Sequence, residues 1–128
     1  MTGAYGDFLG RGWSFPVRVE GGLVVTAEDE QDIREAIGII LGTAVGERVM
    51  RPEFGSRLEE LVFEPNNAAT VSLAKNYVQQ ALGRWEPRII LDDVVVTPTG
   101  NRLDIEVIYR IRTSNVSYNL VYPYYLQN

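Results

Sequence analysis

The chain has 128 residues and a formal net charge of −5, with 45% hydrophobic and 23% charged residues. This composition is typical of one soluble globular domain, and the negative charge argues against binding nucleic acid, which requires a concentrated basic face. The sequence contains neither cysteine nor histidine, which excludes disulfides, thiolate chemistry and histidine-dependent catalysis or metal binding, so we expect no cofactor.

The start of the chain is predicted to form an extended arm and a hairpin. Residues 1–16 have no helix or strand period but hold four aromatic side chains among glycines, so this arm packs either on its own domain or on a partner. Residues 17–25 alternate around two glycines and predict a β-hairpin. The N-terminus has no signal region and no apolar run could span a bilayer, so we expect a cytoplasmic protein without membrane insertion.

Two long amphipathic helices are predicted next. The first begins with a capping box at Thr26 and ends near Gly42, and the second is capped by Asn66 or Asn67 and runs to about Trp85. Two amphipathic helices of this kind require a sheet to cover. The apolar positions expected to be buried are Ile33, Ala36, Ile37, Ile40 and Leu41 in the first helix and Val71, Ala74, Val78, Ala81, Leu82 and Trp85 in the second.

The connection between these helices, residues 46–67, gathers many of the charged and conformationally special residues. Ser56 and Glu59 match a capping box for one short helix, and Phe54 and Phe63 are expected to flank it as anchors. Opposite charges crowd this bend. We interpret five of them as interface charges that a partner can reach: Arg48, Arg51, Glu53, Arg57 and Glu64.

The second helix has to stop at Pro87, because proline lacks the helix N–H and disfavours a helical conformation at the preceding residue. Glu86 and Arg88 are therefore held at a rigid corner between the helix and the strand that follows. They either pair with each other or reach the charged groups of a partner. The residues themselves leave both alternatives open.

Three strands are predicted after this corner. Residues 88–97 and 102–113 form a hairpin across the turn at residues 98–101, and the second strand alternates between apolar and polar side chains. Residues 117–126 are also strand-like, but Pro123 interrupts them, which is typical of a sheet edge. This segment is either the last strand of the same sheet or an edge that pairs with another chain.

Catalytic and metal chemistry have little support. The glutamates of residues 46–67 could supply the two acids of glycoside hydrolysis, but Glu59 and Glu60 are adjacent on a helix, so their side chains diverge by about a hundred degrees. Asp92 and Asp93 lack further oxygen ligands at regular spacing. No phosphate loop, nucleophile elbow or dinucleotide fingerprint occurs, and we expect no enzyme activity.

These segments resemble a known family in both motif and order. The string GERVMRPEFGSRLEELVFEPNN, preceded by IREAIGIILGT and followed by a long helix and WEPRI, resembles the small baseplate-wedge proteins of contractile phage tails. That family is historically called lysozyme-like and includes the TssE subunit of type VI secretion. The resemblance covers about residues 26–113. It implies a compact α/β domain that acts as a sheath initiator, with six copies around the tube of a contractile injection baseplate.

The resemblance also implies roles for particular residues. Glu86, Pro87 and Arg88 match the family's Glu-Pro-Arg motif, which contacts the helical core bundle of the larger wedge subunits. Arg88→Ala is therefore expected to weaken docking while leaving the fold nearly intact. The C-terminal strand of such proteins pairs with arms of the first sheath ring, and tube or hub proteins are further candidate partners. Here the pairing strand consists of Ser117, Tyr118, Asn119, Leu120, Val121 and Tyr122.

We therefore predict an α+β fold, a single compact domain of two long helices and one short helix on a mainly antiparallel sheet. Its parts are an extended N-terminal arm (1–16), a baseplate-wedge core domain (17–113) and a C-terminal strand for partner pairing (114–128). The predicted function is a structural baseplate component of a tail-like particle, docked on the wedge core bundle and initiating the sheath by strand pairing. A peptidoglycan-degrading hydrolase and a stand-alone protein-binding module are the alternatives. The sequence does not distinguish a phage tail from a type VI system or another contractile particle.

Overall fold

Two capped helices and a three-stranded antiparallel sheet make up residues 26–127, the part of the chain that the computed structural model describes. The predicted α+β class is confirmed. The arm at residues 1–16 and the hairpin at 17–25 lie outside the described residues and stay predictions. The elements in order are α1 (Ala27–Gly42), a 3₁₀ helix (Leu58–Leu61), α2 (Ala68–Trp85), β1 (Ile89–Thr99), β2 (Arg102–Ile111) and β3 (Ser117–Tyr125).

Both long helices begin at side-chain caps. The Thr26 hydroxyl accepts from the Asp29 N–H at 3.1 Å, and the Asp29 carboxylate accepts from the Thr26 N–H at 3.1 Å. This confirms the predicted capping box, and α1 ends at Gly42 as predicted. In α2 the Asn67 side chain accepts from the Thr70 N–H. Each cap satisfies amide groups that have no partner within the first turn of the helix.

The short helix differs from its prediction in type and in cap. It is a single 3₁₀ turn whose N-cap, Arg57, makes no side-chain cap hydrogen bond. The buried Ser56 hydroxyl donates to the Leu41 carbonyl at 3.0 Å and accepts weakly from the Leu58 N–H at 3.4 Å. The predicted capping box of Ser56 with Glu59 is therefore wrong, because the helix begins one residue later, with Arg57 as its N-cap, and the Ser56 hydroxyl accepts from the Leu58 N–H.

The sheet is an antiparallel meander in the order β1-β2-β3. A turn of two residues joins β1 to β2, and Gly100 at φ 61° supplies the left-handed conformation that such a turn needs. β1 therefore continues to Thr99, two residues further than predicted. β3 pairs with β2 along its whole length, so it is the last strand of the same sheet, and its outer edge pairs with no other strand of residues 26–127.

The core lies between the two helices and one face of the sheet. The predicted helix stripes are buried except at Ala36, Val71 and Trp85, which are half-buried. Phe63 is 71% exposed, so its predicted role as an anchor is wrong, because the 3₁₀ turn ends before it. The inward residues of β2 are all buried: Leu103, Ile105, Val107, Tyr109 and Ile111.

Tyr109 is a fully buried core residue that carries a titratable group. Its hydroxyl donates to Glu30 Oε2 at 3.5 Å, and its ring stacks on Tyr118 with centroids 5.7 Å apart. Burial raises the pKa of Tyr109 to about 12, and the negative charge of Glu30 acts in the same direction. Burial also raises the pKa of the β3 tyrosines Tyr118, Tyr122 and Tyr124.

We expect the protein to lose stability between about pH 10 and pH 12. The folded-state pKa of Tyr109 lies above its unfolded value, so the neutral phenol stabilises the fold fully below the unfolded pKa, and this contribution disappears as the pH rises through the folded pKa. Urea unfolding at a series of alkaline pH values checks this, with tyrosinate absorbance recorded in parallel. Tyr109→Phe should show a shallower decline. A Tyr109 phenol that ionises near pH 10 in the folded protein would contradict the expectation.

Candidate functional site

The corner between α2 and β1 holds a bidentate ion pair. Arg88 Nε and Nη2 each donate to the Glu86 carboxylate at 2.8 Å, and the Arg88 N–H donates to Glu86 Oε1 at 3.2 Å. Glu86 also caps α2, with its N–H donating to the Leu82 carbonyl at 3.1 Å. Of the two alternatives that the sequence left open, the pairing within the chain is the one observed.

The two charges of this corner differ in exposure. The Glu86 side chain is 2% exposed and the Arg88 side chain is 49% exposed. Hydrogen bonding to Glu86 raises the pKa of Arg88, and the carboxylates of Asp32 and Asp29 in α1 act in the same direction. Arg88 is therefore the charge that a partner can reach, and the buried Glu86 carboxylate orients its guanidinium group.

The outer edge of β3 has backbone groups that pair with no other strand of residues 26–127. The Leu126 N–H donates inward to the Asn101 carbonyl at 2.7 Å, and successive residues of an antiparallel strand direct their N–H and C=O groups to alternate sides. Odd-numbered residues of β3 therefore direct these groups outward. Pro123, which has no N–H, falls on such an outward position. Arg34 of α1 donates to the outward carbonyl of Asn119 at 3.0 Å, as this alternation requires.

The predicted interface charges are distributed differently from the clustered bend that the sequence suggested. Arg57 pairs with Glu60 at 2.9 Å and lies over the Tyr77 ring. Glu53 is exposed beside a small cavity that Arg84 and Trp85 also line, and Glu64 is exposed. Arg48 and Arg51 stack on aromatic rings instead of pairing with these glutamates.

The environment of Glu60 does not suit the general acid of a glycosidase. The hydrogen bond from Arg57 lowers the pKa of Glu60, whereas the general acid of a glycosidase needs a raised pKa. Glu47 and Glu59 line a shallow cavity of about 190 Å³ that opens to solvent. Within residues 26–127 no three side chains of metal-binding type come together, and neither long helix there has the length and apolarity of a membrane span.

Sequence reasoning missed two of the residues that shape these sites. Arg34 donates to the carbonyl of Asn119, which is 85 positions away in the chain. No local sequence pattern predicts such a contact. Arg84 stacks on the Trp85 ring at 4.7 Å. A cation next to an aromatic residue at a helix end is a signal that could have indicated this second contact.

The chain was compared with known protein families and relatives. The family model described as baseplate wedge protein gp25 matches residues 27–116. Baseplate protein W of Escherichia phage P2 is 41% identical over 73 residues, which are 57% of this chain and 62% of that protein. The chain therefore spans a little under two thirds of the length of that relative.

Solved structures share the fold. A protein of Geobacter sulfurreducens, provisionally described as a tail lysozyme, is 47% identical with a TM-score of 0.73, covering 84% of this chain and 98% of its own. A chain of the postcontracted pyocin R2 baseplate is 32% identical with a TM-score of 0.53 over 73% and 93% of the two chains. A chain of the anti-feeding prophage baseplate has the same fold at 18% identity, with a TM-score of 0.53 over 88% and 82%. From the family match over most of its length, the chain belongs to the baseplate wedge protein gp25 family.

Proposed function

We propose that this baseplate protein is a non-enzymatic assembly adaptor of a contractile, tail-like particle. The corner at residues 86–88 docks on the core bundle of the larger wedge subunits, and β3 pairs with a strand of the sheath protein. The observation that carries the proposal is the outer edge of β3, which pairs with no other strand in the described residues 26–127. A copy number of six and contacts with tube or hub proteins stay predictions from the family resemblance.

The outer edge of β3, unpaired within residues 26–127, has the properties that strand addition uses. The N–H groups of Asn119 and Val121 point outward and would bond to an added strand, which is how β-augmentation obtains affinity without a particular side-chain code. Val121 and Tyr125 are 54% and 57% exposed, and β3 contains no charged residue. A long, uncharged edge is otherwise an aggregation hazard, so an assembly partner accounts for it.

Two features limit where the partner strand can pair. Pro123 offers no N–H, so the ladder is best formed before it, over residues 117–121, which falls within the segment predicted from the sequence. Arg34 occupies the outward carbonyl of Asn119. An incoming strand that takes this carbonyl has to displace the Arg34 side chain, which is 34% exposed and also pairs with Glu30 at 3.3 Å.

Val121→Pro tests the strand pairing. The substitution removes an outward N–H, while the inward bonds of β3 to β2 do not involve this group. We expect baseplates that assemble but lack full-length sheath in electron micrographs. Val121→Thr is the matched control, because it keeps both the N–H and a β-branched side chain, and it should assemble normally. Full-length, correctly seated sheath on Val121→Pro particles would overturn the proposal.

A further inference from the structure

Two large apolar side chains in the middle of the loop between α1 and the 3₁₀ helix face solvent. Val49 is 91% exposed and Met50 is 88% exposed. They are neighbours in the chain and lie between Arg48 and Arg51. Adjacent apolar side chains with this degree of exposure indicate a contact surface more than a solvated loop.

The loop holds these side chains on a fixed base. The Gly46 N–H donates to the Pro52 carbonyl at 2.7 Å, and the Ser56 N–H donates to the Thr43 carbonyl at 2.9 Å. Ala44 and Ser56 form a parallel β-bridge between the two ends of the loop. Because these backbone hydrogen bonds already join the two sides of the loop, little backbone freedom is lost when a partner binds.

Three arginines near Val49 and Met50 stack on two aromatic rings. Arg48 lies 4.8 Å from the centroid of the Phe54 ring, and Arg51 and Arg84 lie 5.1 and 4.7 Å from that of Trp85. The two rings meet edge to face at 5.2 Å. Stacking orients each guanidinium plane and leaves its N–H groups available. None of the three pairs with a carboxylate within residues 26–127, unlike Arg57, which Glu60 neutralises.

We propose that residues 48–51 together with Arg84, here called the arginine tip, dock an acidic protein segment with an apolar side chain or pocket at its centre. The arginine tip carries three positive charges, and Glu47 and Glu53 flank it in a chain whose net charge is −5. The arginines outnumber these two glutamates, so the tip favours a partner of opposite sign. The available guanidinium forks suit bidentate binding of carboxylates. Val49 and the adaptable thioether of Met50 supply the apolar area that the partner covers.

The partner is a segment of another subunit of the same baseplate, and in this respect alone the inference rests on the proposed function. The arginine tip adjoins the corner at residues 86–88 through Trp85, the last residue of α2. The arginine tip shares no residue with β3. Failure of strand pairing and failure of the arginine tip therefore give different results.

Photo-crosslinking in assembled particles tests the proposal. With p-benzoylphenylalanine at position 50, we expect illumination to link this chain to one baseplate subunit, at a segment that contains Asp or Glu. Position 63 is the matched control, because Phe63 is also exposed but lies outside the arginine tip. A yield at position 50 no higher than at position 63 would overturn the proposal, as would a link to nucleic acid or to a segment without carboxylates.

Charge reversal supplies the second measurement. Arg48→Glu with Arg51→Glu should lower the yield of the link about tenfold or more, which corresponds to about 1.4 kcal/mol. Replacing the carboxylates of the linked segment by lysine should restore it. A yield that charge reversal leaves unchanged counts against the arginine tip, with unaltered melting as the folding control. A link that persists in Val121→Pro particles supports the arginine tip even where the sheath is absent.

Discussion

Gly55→Ala should lower the free energy of unfolding by about 3 kcal/mol or more. Gly55 has φ 118°, a conformation that residues with a side chain rarely adopt, and an added Cβ would overlap the backbone carbonyl of Thr43. That carbonyl accepts from the Ser56 N–H at 2.9 Å. The overlap therefore cannot be relieved without breaking the bond that ties the loop to the end of α1.

Gly46→Ala is the matched control in the same loop. Gly46 also has a positive φ, 92°, but no atom lies within 4 Å of an added Cβ. We expect this variant to lose the backbone contribution alone, about 1–2 kcal/mol. Urea unfolding followed by circular dichroism gives both values. Equal losses in the two variants would mean that the overlap with Thr43 contributes nothing.

Arg88→Ala should cost about 2–3 kcal/mol of stability, although the arginine side chain is half exposed. The reason is Glu86, whose side chain is 2% exposed in the intact protein and loses its bidentate partner in the variant. From the sequence alone this variant was expected to leave the fold nearly intact, and the burial of Glu86 changes that expectation. If this variant no longer docks on the wedge subunits, the cause could therefore be either its lower stability or the loss of the Arg88 contact.

The double variant Glu86→Gln with Arg88→Ala separates the two effects. A neutral amide is less costly to bury than an unpaired carboxylate, so the double variant should recover about 1 kcal/mol of the loss. Thermal unfolding measures the recovery, and co-purification with the wedge subunits then measures docking in a folded protein without the guanidinium. An Arg88→Ala variant as stable as the parent protein would contradict the structural role assigned to the pair.

Features of the chain that depend on near neighbours could be predicted from the sequence. The capping box of Thr26 and Asp29, the end of the long helix ahead of Pro87 and the alternation of β2 all involve residues a few positions apart. In such cases the helix or strand itself brings the interacting groups together. Ser56 was the exception, because its hydroxyl accepts from the Leu58 N–H instead of the Glu59 N–H and donates to the distant Leu41 carbonyl.

By itself, the sequence determined where the elements lie, which helix and strand faces are apolar, and which family the chain resembles. Only the tertiary structure decided that Ser56 serves the Leu41 carbonyl, that Arg34 reaches Asn119, and that Glu86 is buried beneath Arg88. Hydrogen-bonding groups have several locally equivalent partners, and packing between distant elements chooses among them by deciding which groups lose access to water. The same packing placed β3 beside β2 and left its outer edge unpaired within residues 26–127.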